Sequence, residues 1–192
     1  MIKKEIRVLG VAFTPSNPMS NSRTQVVGVV YRGNRWLEGA MRISVSPEAT
    51  DLSFAISKMV KGSPHLPQLR VIVLDELVAK SGLYVNIEAL GRKTGLPVIA
   101  VLRHRLRLKR ASKESARDQA RRVKLLESLQ AELWRFGRRR FFIYSANLGG
   151  MDLNELLRVC ASKEGVPEAA RVASIAATTL ERFFAGRPSG EE

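Results

Sequence analysis

Two short apolar runs in the middle of the chain, at residues 69–74 and 98–102, constrain the fold more than any other feature. Continuous apolar runs of this length are typical of strands that are buried on both faces of a sheet. The segment between them, residues 87–93, has the pattern of a short helix and is followed by Gly95 and Pro97. A strand, a helix and a second buried strand predict a parallel crossover, and therefore an α/β protein.

Three further strand-like runs precede this unit, at residues 6–13, 25–31 and 36–45. The second and third are joined by residues 32–35, in which Gly-Asn fits a two-residue hairpin turn, so antiparallel pairing is predicted. The later elements are predicted as a helix over residues 116–133, a short strand over 141–144, a helix over 153–161 and a last helix from Pro167.

The order of these elements predicts a mixed sheet, in which three antiparallel strands are followed by parallel strands with flanking helices. This is the arrangement of a ribonuclease-H-like α/β fold, and we expect five or six strands. A chain of 192 residues with 45% hydrophobic content suits one domain with a full hydrophobic core. We therefore predict a single domain over residues 1–186 and a flexible tail over residues 187–192.

Cysteine and histidine are scarce, since the chain has one cysteine, Cys160, and two histidines. This excludes an internal disulfide, argues against a structural zinc site and favours a reducing, cytoplasmic location. We expect no cofactor, and any catalytic metal would be magnesium or manganese held by carboxylates. No apolar run approaches the roughly 18 residues that a membrane span needs, so we expect no membrane partner.

Positive charge is concentrated immediately after the apolar run at residues 98–102, in a chain whose net charge is +14. The first four cations alternate with other side chains, which in an extended chain places them on one face: Arg103, Arg105, Arg107 and Lys109. Further cations follow at Arg110, Lys113, Arg117 and Arg121. A one-sided cationic surface is typical of a polyanion site, so RNA or DNA is the predicted partner. The alternative is a solvated edge strand whose charges prevent aggregation.

A second basic cluster, Arg138, Arg139 and Arg140, lies between Trp134 and Phe141 in the sequence. Aromatic side chains beside arginines can stack on unpaired bases. In the alternative interpretation the aromatic side chains fill the core and the arginines face water. In both interpretations the three arginines are candidates for contacts with phosphate.

Several segments together resemble a known family. They are RVLGV at residues 7–11, VVGVVYRG at 26–33, RVIVLDEL at 70–77, NIEALGRKTGLPVIAV at 86–101 and GVPEAARVASIAA at 165–177. The chain resembles, over nearly its whole length, the archaeal domain-of-unknown-function family numbered ninety-nine, which is related to endonuclease V. The resemblance implies a ribonuclease-H-like fold and an ancestry among metal-dependent nucleases.

Most acidic positions of that family carry other residue types in this chain. The aspartate pair that ends the family's first strand corresponds to Ala12 and Phe13, an Asp-Gly motif to Ser46 and Pro47, a later aspartate to Asn86, and a histidine of the last helix to Ser174. The matching acid that remains is Asp75, which is followed by Glu76 where the family has glycine. Asp75 is therefore the one candidate catalytic residue that the resemblance leaves.

Phosphodiester cleavage by two metal ions needs several carboxylates that converge on cations about 4 Å apart. These departures from the family, together with the basic segments, predict a nucleic-acid-binding protein with a degenerate, catalytically inactive endonuclease V-like fold. Two alternatives stay open. The first is a magnesium- or manganese-dependent endonuclease that acts on RNA or DNA with a rearranged carboxylate site around Asp75. The second is an interaction subunit that binds a protein partner within an RNA-bearing assembly.

Overall fold

The computed structural model describes residues 2–14, 23–46, 48–79, 82–106 and 116–185. In this part of the chain seven strands form one mixed sheet, and five α-helices accompany it. The strands are β1 (Arg7–Phe13), β2 (Thr24–Arg32), β3 (Trp36–Val45), β4 (Val71–Leu74), β5 (Val98–Leu102), β6 (Glu132–Phe136) and β7 (Arg139–Ala146). The helices are α1 (Ser53–Lys61), α2 (Ile87–Thr94), α3 (Ala116–Ser128), α4 (Leu153–Cys160) and α5 (Glu168–Ala185).

The strands lie in the order β3-β2-β1-β4-β5-β7-β6. β1 pairs antiparallel with β2 and parallel with β4, and β4 pairs parallel with β5, with α2 as the connection between them. β7 then adds to β5 in the antiparallel sense. The predicted α/β mixed sheet and its parallel crossover are therefore confirmed, although the sheet has seven strands rather than five or six.

The strand that sequence reasoning missed is β6, because the helical pattern was extended to residue 133. α3 ends at Ser128, and Leu133 is 51% exposed on β6 instead of lying on a buried helical stripe. A two-residue turn at Gly137 and Arg138 joins β6 to β7, and Gly137 adopts a φ of 57°. Pairing with β7 buries Trp134 against Phe141, so tertiary packing overrides the local helical period.

The connection between β2 and β3 also differs from the two-residue turn that Gly-Asn predicts. Arg32 pairs with Trp36, so three residues form the loop, and the first of them, Gly33, has a φ of 60°. The Gly33 N–H donates to the Ile6 carbonyl (2.7 Å), and the Asn34 amide donates to the Ala161 carbonyl (2.9 Å). These tertiary hydrogen bonds fix the longer loop.

The helices cover the two faces of the sheet as separate layers. On one face, α1 and α2 contribute Ile56 and Leu90 to a core that includes Leu9 of β1. On the other face, α4 and α5 contribute Leu156 and Ala170 to a second apolar cluster. None of the helices in the described part of the chain combines the length and the apolar content needed to cross a membrane.

The closest approach between a helix and the sheet occurs at Gly10, in the middle of β1. A methyl carbon at this position would overlap the backbone of Ala169 and Ala170 in the first turn of α5. Because backbone atoms of a helix cannot move aside as a flexible side chain can, only glycine permits this packing distance. The position of α5 over β1 therefore depends on Gly10.

We predict that Gly10→Ala lowers the stability of the fold strongly. Overpacking of a core typically costs about 1–3 kcal/mol, and contact with helix backbone places this variant at or above that range. The melting temperature should fall by at least about 5 °C in thermal unfolding followed by circular dichroism. Gly62→Ala is the control, because its nearest atom would lie 3.4 Å away and its φ is −79°. Equal melting temperatures for the two variants would contradict this account of the β1–α5 contact.

Candidate functional site

An open cavity of about 540 Å³ lies where β4 and β5 end, beside α5. Its lining includes two acids, Asp75 and Glu76, and a set of cationic and polar groups: Arg103, His104, Arg105, Arg171 and Ser174. In open α/β sheets, ligands bind at the carboxyl ends of the strands, so this cavity is the candidate functional site. Arginines outnumber carboxylates around it.

Three of the positions that correspond to acids and a histidine in the resembled family lie together at or beside this cavity. Asp75 directly follows β4, and the parallel register that joins Val11 to Leu74 places Ala12 beside Asp75. Both residues lie on the face that α5 covers, where Ala12 packs in one apolar cluster with residues of α5. Ser174 of α5 hydrogen-bonds the Asp75 carboxyl group. The fold thus brings Ala12, Asp75 and Ser174 together, as the resemblance implies.

The pKa of the Asp75 carboxyl is raised, mainly because the group is buried. Residue Asp75 as a whole is half-buried, but its carboxyl group is much more enclosed than the residue. Burial raises the pKa of this carboxyl to about 7 from an ordinary value of 3.8, the hydrogen bond from Ser174 lowers it, and the nearby charge of Glu76 raises it. Near neutral pH a substantial fraction of Asp75 is therefore uncharged.

The residues at this site do not fit a pair of divalent cations. Ala12 and Phe13 are 2% and 6% exposed and belong to the apolar core. Asn86 serves as the N-cap of α2, where its side-chain oxygen accepts from the Ala89 N–H at 2.9 Å. Across the described residues, no group of three or more His, Cys, Asp or Glu side chains is arranged to hold a metal ion. Asp75 and Glu76 are the carboxylates that line the cavity, and two adjacent carboxylates can hold one magnesium ion with waters and substrate phosphates but not a pair of ions.

The two basic clusters predicted from the sequence meet where β5 ends and β7 begins, a region that we call the arginine-rich edge. Antiparallel pairing of Leu102 with Phe142 places the end of β5 beside the first part of β7, which begins at Arg139. Both guanidinium groups bind Glu164, at 3.1 Å and 3.3 Å. Arg105 and the remaining hairpin arginines, Arg138 and Arg140, are exposed.

The extended cationic ribbon expected after β5 is not found where the structure can test it. Residues 103 and 104 form a bend rather than continuing the strand, and His104 is as exposed as Arg103 and Arg105. The four sites Arg107, Lys109, Arg110 and Lys113 lie outside the described residues. For Arg117 and Arg121 the structure describes the backbone only, on α3. Arg122, the next residue along α3, is buried and only 1% exposed.

Two charged residues at this edge were not identified from the sequence. Arg171 lines the cavity and forms a two-hydrogen-bond ion pair with Glu168, one turn earlier on α5. This contact raises the pKa of Arg171. Glu164 lies in the loop between α4 and α5 and joins Arg103 to Arg139. Arg171 belongs to the GVPEAARVASIAA segment, so a sequence signal existed, but only the fold shows that this helix faces the ends of β4 and β5.

Solved structures establish what the fold is similar to. A protein of unknown function from Archaeoglobus fulgidus superimposes with a TM-score of 0.74 at 21% identity, covering 91% of this chain and 97% of that one. The catalytic domain of human endonuclease V gives a TM-score of 0.60 at 19% identity, over 95% of this chain and 85% of that one. These likenesses show an endonuclease V-like, ribonuclease-H-like fold, as predicted.

Sequence comparison gives a narrower assignment. An archaeal UPF0215 protein of Methanothermobacter thermautotrophicus is 37% identical over 92% of this chain and 88% of its own length. Another, from Methanosarcina acetivorans, is 32% identical over 93% of this chain and 92% of its own length. The family model described as Endonuclease dU matches residues 4–181. The chain therefore belongs to the Endonuclease dU family.

Proposed function

We propose that this protein binds nucleic acid through the arginine-rich edge around the cavity and has no efficient metal-dependent cleavage activity. The single observation that carries the proposal is the composition of the cavity. On a nuclease-type scaffold, the end of β5 and helix α5 present three arginines to the cavity, the end of β4 presents the carboxylates of Asp75 and Glu76, and Ala12 and Phe13 are buried and apolar. This composition supports affinity for a polyanion, and it does not provide the carboxylate cluster that a two-metal site needs.

Binding rests on charge and accessibility. Arg103 and Arg139 have side chains that are 57% and 51% exposed, and their sequence neighbours Arg105, Arg138 and Arg140 are also exposed. Each arginine that neutralises a phosphate releases counterions, which supplies most of the sequence-independent affinity for DNA or RNA. A Ciona intestinalis endonuclease V of similar fold (TM-score 0.62) was solved with an inosine-containing DNA. That relative supports a polynucleotide as the ligand class.

The argument against efficient cleavage rests on the carboxylates. Enclosure of Asp75 raises the pKa of its carboxyl to about 7, so a cation that binds there at neutral pH must displace a proton from a substantial fraction of the molecules. Asn86, at another acidic position of the resembled family, has no carboxylate and uses its side-chain oxygen to cap α2.

The second candidate function is a metal-dependent endonuclease with a rearranged site. Two observations favour it: the family description, Endonuclease dU, and the presence of Asp75 and Glu76 together at the cavity. In that case a bound divalent cation would favour the ionised form of the Asp75 carboxyl and lower its pKa. Direct assay of cleavage separates the two functions.

We predict no metal-dependent cleavage above background. The protein should be incubated with magnesium or manganese and with plain, inosine-containing and deoxyuridine-containing DNA, and with plain and inosine-containing RNA. Asp75→Asn, prepared in parallel, reports contaminating nuclease, and the two proteins should give equal product on denaturing gels. Cleavage by the parent protein that disappears in Asp75→Asn would establish the second candidate function instead.

We predict that the double variant Arg103→Gln/Arg105→Gln weakens binding to DNA and RNA of every sequence alike. Because each phosphate contact contributes about 0.7–0.9 to the slope of log K against log salt, the slope should become shallower by about 1.4–1.8. Fluorescence anisotropy across a salt series measures both quantities. Arg92→Gln/Lys93→Gln removes the same charge from exposed positions at the end of α2 and should change the slope little. Equal effects of the two double variants would show that only net charge matters.

We predict that Asp75→Asn increases stability in a pH-dependent manner. The folded protein keeps the Asp75 proton up to a pKa of about 7, whereas the unfolded chain releases it near 3.8, so the parent loses stability between these values as pH rises. The stability gain of the variant should be small at pH 4, grow towards pH 7 and stay constant above it, reaching on the order of 1–4 kcal/mol.

Urea unfolding at pH 4.5, 6 and 8 measures this difference. Asp152→Asn is the matched control, because this exposed aspartate caps α4 and asparagine caps helices equally well. Its stability difference from the parent should not follow the same pH profile. If the gain from Asp75→Asn is the same at all three pH values, Asp75 ionises normally and the argument from its burial is wrong.

A further inference from the structure

Glu164 lies in a tight turn between α4 and α5 that is closed by its own backbone. The Ser162 N–H donates to the Val166 carbonyl at 2.8 Å, and the Gly165 N–H donates back to the Ser162 carbonyl at 3.0 Å. The Glu164 N–H donates to the Ser162 hydroxyl oxygen at 3.2 Å. A bridge between Ala161 and Pro167 closes the base of the turn. The carboxylate of Glu164 is therefore presented from a defined backbone position.

The same turn is held against two other parts of the fold. Gly165 has a φ of 87°, and a methyl carbon there would come within 2.8 Å of the Phe136 ring at the end of β6. On the other side, Asn34 of the β2–β3 loop donates to the Ala161 carbonyl at 2.9 Å. The turn thus packs directly on the β6–β7 hairpin that carries Arg139.

Glu164 is the counter-ion of two arginines that come from different strands. Its Oε2 accepts from Arg103 at 3.1 Å and from Arg139 at 3.3 Å, and its backbone carbonyl also accepts from Arg139 at 3.0 Å. The hydrogen bond from Arg103, followed by the charge of Arg139, lowers the pKa of Glu164, so it is ionised at neutral pH. Arg171 also interacts electrostatically with Glu164. One carboxylate thus balances a larger positive charge.

We propose that Arg103 and Arg139 form a binding site for one phosphate group, and that the Glu164 carboxylate occupies this site in the free protein. Carboxylate and phosphate oxygens are recognised by guanidinium groups in the same way, through charge-assisted hydrogen bonds. All three side chains are between 51% and 57% exposed, so an external phosphate has access. The proposal rests on the proposed function, since it takes this phosphate to belong to a nucleic-acid backbone.

Exchange of the carboxylate for a phosphate requires little rearrangement. Exposed ion pairs of this kind change an equilibrium by about fivefold at most, so a polyanion that makes several contacts displaces one easily. The hydrogen bond from Arg139 to the Glu164 backbone carbonyl does not involve the carboxylate. Arg139 therefore stays in position when the Glu164 side chain leaves.

We predict that Glu164→Gln binds DNA and RNA about two- to fivefold more tightly than the parent at low salt, because the competing anion is removed while the side-chain shape is kept. The slope of log K against log salt should steepen by about 0.7–0.9, since one more phosphate contact forms without competition. Glu88→Gln is the matched control. It also removes an exposed carboxylate paired with an arginine, Arg92, but on α2. This control should leave both quantities close to those of the parent.

A second test is to introduce Glu164→Gln into a protein that already lacks both arginines. In Arg103→Gln/Arg139→Gln, the change Glu164→Gln should produce no gain, because the site no longer exists. Unchanged or weaker binding by Glu164→Gln in the parent background would overturn the proposal and indicate that Glu164 only positions the arginines. An equal gain from Glu88→Gln would also overturn it, since net charge would then explain the effect.

Titration with pyrophosphate, followed by nuclear magnetic resonance of the arginine Nε–H groups, separates this proposal from the proposed function. Pyrophosphate should shift the Arg103 and Arg139 signals at lower concentration in Glu164→Gln than in the parent. If the parent binds no polynucleotide but shows this response, the proposed function fails and the phosphate site stands. If polynucleotide binds but neither arginine responds to pyrophosphate or to Glu164→Gln, the phosphate site fails.

Discussion

The contact between β1 and α5 at Gly10 determines the geometry of the candidate site. Because no side chain separates the strand from the helix, the first turn of α5 lies on the sheet and carries Arg171 and Ser174 past the end of β4. The loop that precedes α5 is placed by the same contact, and with it Glu164 beside Arg103. A dense apolar contact in the core therefore positions polar groups at the surface, since close-packed interiors transmit displacements instead of absorbing them.

The cavity combines an endonuclease V-like scaffold with a lining in which arginines outnumber carboxylates. Ala12 contributes to packing between the sheet and α5, and Asn86 contributes to the start of α2. Asp75 stays at its strand end but is enclosed, so its neutral form is favoured. Positive charge then dominates the edge, and phosphate contact is the chemistry that this composition supports.

Strongly periodic elements could be predicted from the sequence, whereas features that depend on tertiary contacts could not. The buried runs that became β4 and β5 specify parallel strands by themselves, since few other elements bury both faces. β6 was missed because its apolar residues also fit a helix, and only pairing with β7 decides between the two. Similarly, Asp75 and the basic clusters were visible as composition, but the proximity of Arg103 and Arg139 comes from the β5–β7 register. Glu164 carried no sequence signal at all.

Asn86 caps α2 whereas Ala12 is buried, so the fold accommodates an aspartate at position 86 more readily than at position 12. Aspartate and asparagine cap helices almost equally well, so an acid at position 86 is compatible with α2 as it stands. An acid at position 12 is not, because Ala12 is enclosed by the β-sheet and α5 and lies beside the already enclosed Asp75. Two adjacent buried carboxylates would repel each other and displace the helix in the absence of a cation. An acid at position 12 would therefore be accommodated only with a bound cation or with one of the two carboxyl groups protonated.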